Sequence, residues 1–299
     1  MTNQLFRKLV ILAGQLIVAA SSGCATLPPA PEWSGAALPY LLERFTRPGP
    51  VAGVVARVDL ADPRVEVKVA LADETDPDGA GPCVGQLDTT SNAARRHDFA
   101  ITLNASFFAA PNPRVMKEKR IPYFVGNCGI PEGWHVSAGK VMTRPTNESL
   151  RDVFVVHRDG KVTLHERAFE LPADTRYAVS GSAIVVQGGQ VVARPSAAAR
   201  HPRSSVGLSA DGRTLLMVAV DGRQDHSRGV TLEELGVLMQ SLGAHHALNL
   251  DGGGSTALVV KDPASGVFAI ANQLSDASIG FPALKIERPV VDVIGIVVR

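Results

Sequence analysis

Three short polar punctuations limit what this chain can become. Arg158-Asp159-Gly160, Gln187-Gly188-Gly189 and Ala210-Asp211-Gly212 each separate two apolar, β-branched runs: Val153 to His157 from Val162 to His165, Ala183 to Val186 from Gln190 to Ala193, and Ser205 to Leu208 from Thr214 to Val220. Asp-Gly and Gly-Gly readily adopt the positive-φ conformations of a tight hairpin, so each punctuation predicts two adjacent antiparallel strands. The 28 glycines and 20 prolines are spread along the chain with similar runs between them, the texture of a strand-rich globular domain.

Further runs fit that frame. Val51 to Leu60 and Arg64 to Leu71 read as a strand pair joined by the turn residues Ala61-Asp62-Pro63; Phe99 to Leu103 reads as a buried strand, and Val290 to Arg299 as a closing core strand. Gln86 to Arg96 has weak helical character. One strong helix follows Thr231: Leu232, Leu235, Leu238, Met239 and Leu242 recur at helical spacing, Thr231 with Glu234 forms a capping-box pattern, and Gly243 suits the position beyond the last turn. Pro111 to Gly133 is a long irregular insertion with a basic tip, Lys117 to Arg120, read either as a lid or as a solvated loop.

A formal net charge of +1 over 299 residues gives no electrostatic bias towards nucleic acid, and an aromatic content of 5% argues against a base-stacking surface. Residues 1–23 have the pattern of an export signal: Arg7 and Lys8, an apolar run from Leu9 to Ala20, then Ser21-Ser22-Gly23 before Cys24. The small residues before Cys24 resemble a bacterial lipobox, which points to lipidation there, to a bacterial cell envelope, and, by the Ala25 that follows, to the outer membrane facing the periplasm. Residues 24–50 then read as a Pro/Ala-rich tether and 51–299 as a single domain. Cys83 and Cys128 remain as an even pair in an oxidising compartment, either bonded or two buried thiols; a bridge would be worth about 4 kcal/mol in the chain-entropy model.

Against this background Asn249-Leu250-Asp251-Gly252-Gly253-Gly254-Ser255-Thr256 stands out. It joins two strand-like runs, and three consecutive glycines are more than a hairpin needs. Their amides can form an anion-accepting nest with Asp251 at its lip; the alternative is a tight turn in which Asp251 satisfies its own backbone. Two other polar clusters, Asn104-Ala105-Ser106-Phe107-Phe108 and Val220-Asp221-Gly222-Arg223, also follow apolar runs, which suggests one shared cleft. Asp221-Gly222 differs from the other turn signals because the polar stretch Gln224 to Gly229, not a strand, follows Arg223.

Taken in order, Asn104 to Phe108, Ser180-Gly181, Arg203-Ser204-Ser205-Val206-Gly207, Val220 to Arg223, Gly229 to Leu235 and Asn249 to Thr256 resemble the phosphodiester glycosidase family over roughly Phe99 to Arg299. Ala105 stands where the family commonly has Gly, and Ser204-Ser205 where it commonly has Thr-Ala. The resemblance implies an α+β fold, a strand-rich mixed-sheet domain with few helices, and a hydrolase that frees a sugar from a sugar-1-phosphodiester in envelope glycan or exopolysaccharide metabolism. A phosphate is a good leaving group, so the main tasks are holding its charge and supporting a cationic sugar. Arg203 and Arg223 suit the first task because a guanidinium can grip two phosphate oxygens. Asp251 and Asp221 suit the second, one as nucleophile or general base and the other as its partner, with Glu234 a weaker catalytic candidate. Asn104 and Asn249 would bond sugar hydroxyls, while Gly252, Gly253, Gly254, Ser255 and Thr256 would complete the substrate cradle. No cofactor is required on this reading. Two alternatives stay open: Asp221, Asp225, His226, Asn249 and Asp251 binding Ca²⁺ or Mg²⁺ to cut P–O, or a lipoprotein that binds envelope glycan without turnover.

Overall fold

The structure is a computed structural model that describes residues 38–79, 81–111, 123–146, 150–193, 200–278 and 281–299. The expected export signal, Cys24, most of the expected tether and the basic tip Lys117 to Arg120 lie outside the described residues. Three antiparallel sheets share one core. The first has seven strands, in the order Tyr40–Arg47, Val51–Asp59, Thr214–Val220, Arg203–Leu208, His246–Asn249, Ala183–Gln187 and Gln190–Val191. The second runs Val162–His165, Asp152–His157, Thr175–Gly181, His135–Ser137 and Lys140–Thr143; the third runs Phe268–Ile270, Leu258–Lys261, Ile101–Asn104, Asp292–Val298 and Val65–Leu71.

The unbroken apolar run Thr214–Val220 shows why the first sheet forms at the centre. Leu215, Met217 and Ala219 face the core shared with the other two sheets, whereas Leu216, Val218 and Val220 face a helix, so a strand buried on both sides carries no polar alternation. That helix, α2 (Leu232–Ser241; α1 is Thr90–His97), begins at the expected capping box and closes with Gly243 at φ +95°. Its Leu235 and Met239 are fully buried against the sheet, and each contributes about 1.5–3 kcal/mol by leaving water. Leu235→Ala would open a cavity there at a cost of about 2–5 kcal/mol. On the third sheet α1 covers the outer face, with Ala93 packed among Phe99, Val290 and Val293.

All three turn punctuations make the predicted hairpins. Two expectations change. Val51–Asp59 and Val65–Leu71 are not partners: the first pairs with Thr214–Val220 and the second with Asp292–Val298. Ala61-Asp62-Pro63 therefore carries the chain between sheets, with Asp62 accepting from Arg64 N–H at 2.9 Å to cap the turn. The folded domain also starts before Val51, because Tyr40–Arg47 pairs along its length with Val51–Val58 and buries Tyr40 and Phe45. Cys83 and Cys128 are joined in a disulfide across 45 residues, with Cα atoms 5.5 Å apart.

Candidate active site

Register brings the polar strand exits to one end of two sheets. Arg203 opposes Val220 and Ser205 opposes Asn249 in the first sheet, while Leu103 opposes Leu258 and Asn104 opposes Val293 in the third. Leu250 to Ala257 is the crossover between those sheets. Leu250 N–H donates to the Ser204 carbonyl at 2.9 Å, and Asp251 N–H to the Ala105 carbonyl at 2.9 Å, so the glycine run is fastened to one sheet at its entrance and the other at its first turn.

Inside that crossover Gly253 has φ +64°, and a Cβ there would lie 3.1 Å from an Arg223 nitrogen. Glycine is thus demanded twice, by backbone conformation and by the guanidinium lying across it. The expected three-amide nest is not what the glycines form. Gly253 N–H donates to the Pro202 carbonyl at 2.8 Å, and the Gly252 amide serves the Asp251 carboxyl. Positive charge at the loop comes instead from the guanidiniums beside it, Arg223 at Gly253 and Arg288 at Gly254.

Asp251 is half-buried, and its acidity is strongly perturbed. Loss of hydration pushes its carboxyl up to about 6; a nearby Ser255 hydroxyl, the Arg288 charge and the Gly252 amide pull the other way, and the like charge of Asp292 adds to the rise. Around it the positive groups crowd one another. Arg203 donates to the Val230 carbonyl at 3.3 Å and is held below the usual arginine value by burial, then by Arg223, with Asp251 opposing. Arg223, at φ +60°, donates to His201 Nδ1 at 3.3 Å and reaches Asp276 only at 4.0 Å. His201 is depressed by burial and by both arginines. Arg288 bonds Asp276 at 2.8 Å beside Gly254, with Tyr123 stacked on its guanidinium at 4.6 Å. Arginines 203, 223 and 288 thus surround Asp251 and Asp276, an arrangement that a bound anion would relieve.

The remaining candidates are placed differently from expectation. Asn104 is fully buried: its Nδ2 donates to the Asp251 carbonyl at 2.7 Å, while its Oδ1 accepts from Ser204 Oγ at 2.6 Å and Ala257 N–H at 3.2 Å. It holds the loop and has no free face for a sugar. Asn249, also fully buried, donates to Ser182 Oγ at 2.8 Å. Asp221 is buried with Oδ1 on Gln273 N–H at 2.8 Å and Oδ2 facing His226 Nε2 at 3.1 Å, so it orders the polar loop. Glu234 completes the capping box by accepting from Thr231 N–H at 3.0 Å and pairs with Arg200, whose guanidinium keeps its carboxyl low. Both carboxylates are thus engaged by donors from their own surroundings.

Eight buried side-chain atoms lack a hydrogen-bond partner among the described residues, and Asn249 Oδ1, Ser255 Oγ and Thr256 Oγ1 are three of them, Ser255 Oγ lying near enough to Asp251 to lower its carboxyl but outside hydrogen-bond geometry. Their concentration within one eight-residue run marks it as a place where structure alone does not satisfy the polar groups. Among the described residues no three His, Cys, Asp or Glu side chains gather as a metal site, and the set from Asp221 to Asp251 expected for a cation is dispersed between Gln273, Ser182 and the arginines. Sequence reading missed His201, Asp276, Arg288, Asp292 and His135. His201 stands two residues before Arg203, a usable signal; Arg288 and Asp276 flank a segment with no motif, and only the third sheet's topology brings them in.

Comparison with known proteins gives an independent view. A family model described as phosphodiester glycosidase matches residues 97–297. The zebrafish N-acetylglucosamine-1-phosphodiester alpha-N-acetylglucosaminidase catalytic domain, auto-inhibited by its pro-peptide, superposes with a TM-score of 0.59 at 18% identity over 87% of this chain and 82% of that one. A Burkholderia pseudomallei protein described as exported gives 0.59 at 17% identity, covering 83% and 74%. The SPbeta prophage-derived uncharacterized protein YomE of Bacillus subtilis is 37% identical over 97 residues, which are 32% of this chain and 13% of that protein's length.

Proposed function

We propose, from the premise that this chain belongs to the phosphodiester glycosidase family, that it hydrolyses a sugar-1-phosphodiester at the anomeric C–O bond, freeing the sugar and a phosphomonoester. The observation that carries the reading is the pairing of one poorly solvated carboxyl, Asp251, with the crowded guanidiniums of Arg203, Arg223 and Arg288. Above pH about 6 Asp251 is a carboxylate whose basicity exceeds that of an ordinary Asp, the property wanted in a general base near neutral pH. It takes a proton from water as the water oxygen bonds to the anomeric carbon. The anomeric C–O bond breaks, and its electron pair leaves with the phosphate, whose charge the arginines hold. Because phosphate leaves readily, a second carboxyl in the acid role is not required, which accommodates the engagement of Asp221 elsewhere.

The leader of residues 1–23 and the cysteine at position 24 support export and lipid anchoring, and hence a substrate in the glycan of a bacterial envelope. No step depends on a metal ion. Incubation of residues 38–299 with UDP-GlcNAc and with a simple GlcNAc-1-phosphodiester tests the reading. Free sugar released by the wild type and reduced by several orders of magnitude in Asp251→Asn is expected; near-wild-type turnover in that variant would remove Asp251 from the chemistry.

A further inference from the structure

A short strap, Gln273 to Asp276, lies against the glycine run, and the reaction as described makes no use of it. Ser275 Oγ donates to the Gly253 carbonyl at 3.1 Å. A Cβ at Gly254 would collide with Asp276 Oδ2 and with the Arg288 guanidinium, so the ion pair beside that position requires a glycine there. The strap is tied at both ends. Gln273 N–H donates to Asp221 Oδ1 at 2.8 Å and Gln224 Nε2 to the Leu274 carbonyl at 3.2 Å, while Ile286 N–H donates to the Asp276 carbonyl at 3.1 Å. Asp276 is therefore brought to the arginines by backbone that is held on either side.

Its two carboxylate oxygens face different guanidiniums. Oδ2 accepts from Arg288 Nε at 2.8 Å and lies 2.8 Å from Arg288 Nη2, whereas Oδ1 stands 4.0 Å from Arg223 Nη1, too far for a hydrogen bond. Arg223 keeps N–H donors for an anion, since its bond to His201 Nδ1 at 3.3 Å uses one of five. The side chains of Asp276 and Arg288 are 24% and 21% exposed, so solvent screens them only in part. Where polar groups meet at the glycine run, the guanidiniums of Arg203, Arg223 and Arg288 face the carboxylates of Asp251 and Asp276. Lys285 is close by but exposed, where its charge is screened. The balance is one positive charge. A phosphodiester brings one negative charge and matches it; a phosphomonoester brings close to two above pH about 7 and exceeds it.

We propose that Asp276 is a specificity-determining residue: its negative charge between Arg223 and Arg288 admits a singly charged phosphodiester and disfavours a doubly charged phosphomonoester. The inference rests on the proposed function in taking these arginines as the phosphate holders. It gives the strap a task in turnover, because cleavage converts the one class of anion into the other. When the anomeric C–O bond breaks, the phosphate keeps the electron pair and gains a second negative charge, while the proton from water goes to Asp251. Once Asp251 passes that proton to solvent, two negative charges face a balance of one, and the product leaves.

The test is the binding of two small anions to the protein, dimethyl phosphate and methyl phosphate, followed by ³¹P NMR titration at pH about 8, where the first carries one charge and the second close to two. Asp276→Asn removes the charge and keeps the shape. It should tighten methyl phosphate about tenfold more than dimethyl phosphate, the effect of one further unit charge about 6 Å from the carboxylate at an effective dielectric of about 40. Asp276→Ser, a second neutral replacement, should shift the ratio of the two affinities in the same direction, so loss of fold in one variant leaves the other to decide. Ser275→Ala removes the bond to Gly253 and no charge, so it should leave that ratio unchanged. An unchanged ratio in the neutral variants, an equal shift in Ser275→Ala, or failure of both anions to bind would overturn the proposal. Release of sugar from a GlcNAc-1-phosphodiester is a separate assay. Its absence beside the expected ratios would count against the proposed function alone, and its presence beside unchanged ratios would count against the role of Asp276 alone.

Discussion

Replacing Asp251 by Asn should remove activity and stabilise the protein, and the structure gives the size of the second effect. Asp251 titrates near 3.8 when unfolded and at about 6 when folded. Between those values the folded protein retains a proton that the unfolded chain has released, so stability falls as pH rises through this window and the full penalty is present above it. Two pH units correspond to about 3 kcal/mol. An amide at this position carries no charge to desolvate, so Asp251→Asn should exceed wild type by up to about 3 kcal/mol at pH 7.5, about 6–12 °C in Tm for a domain of this size, and match it within about 1 kcal/mol at pH 4, where both side chains are neutral. Guanidinium unfolding of residues 38–299 at the two pH values measures this directly. If the Asn variant gains nothing between pH 4 and pH 7.5, the carboxyl is not strained by its surroundings and the argument for a tuned base fails.

Three further outcomes follow from the same geometry. The acid limb of kcat/KM should fall with an apparent value near 6, because protonating Asp251 removes the base; a limb near 4 would mean an ordinary carboxyl. Arg203→Met should lower kcat/KM about 10- to 100-fold by removing one charge-assisted phosphate contact, seen mainly in substrates bearing the phosphodiester, and an unchanged value would place the phosphate elsewhere. Gly253→Ala should cost at least about 1 kcal/mol in unfolding experiments, since its φ of +64° strains an L residue and the new methyl meets Arg223; a neutral effect would mean that the loop adjusts freely.

How far the chain can be read without coordinates depends on the range over which each signal acts. Hairpins at Asp159-Gly160, Gly188-Gly189 and Asp211-Gly212 are local chemistry, and so is the box from Thr231 to Glu234; all were legible. The partner of Val65–Leu71 was not, because it is the last strand of the chain and no local turn announces such a closure. The same distinction governs the site. Asp251 and its glycines stand out because three glycines in a row need a reason, and Arg223 over Gly253 supplies it. The partners of Asp221 and Asn104 were not legible, because sequence displays a polar side chain and not the groups that already bond it. Asp292 escaped notice as one acid inside an apolar strand, because its partners Ser106 and His135 lie more than 150 residues away in the chain.

Cleavage at the sugar carbon with Asp251 as base decides which product carries the oxygen of the attacking water. Hydrolysis of a GlcNAc-1-phosphodiester in ¹⁸O water, with products weighed by mass spectrometry, tests it most directly. The label is expected in the free sugar, with none in the phosphomonoester. Label in the phosphate would mean attack at phosphorus, and would contradict the assignment of Asp251 to the anomeric centre.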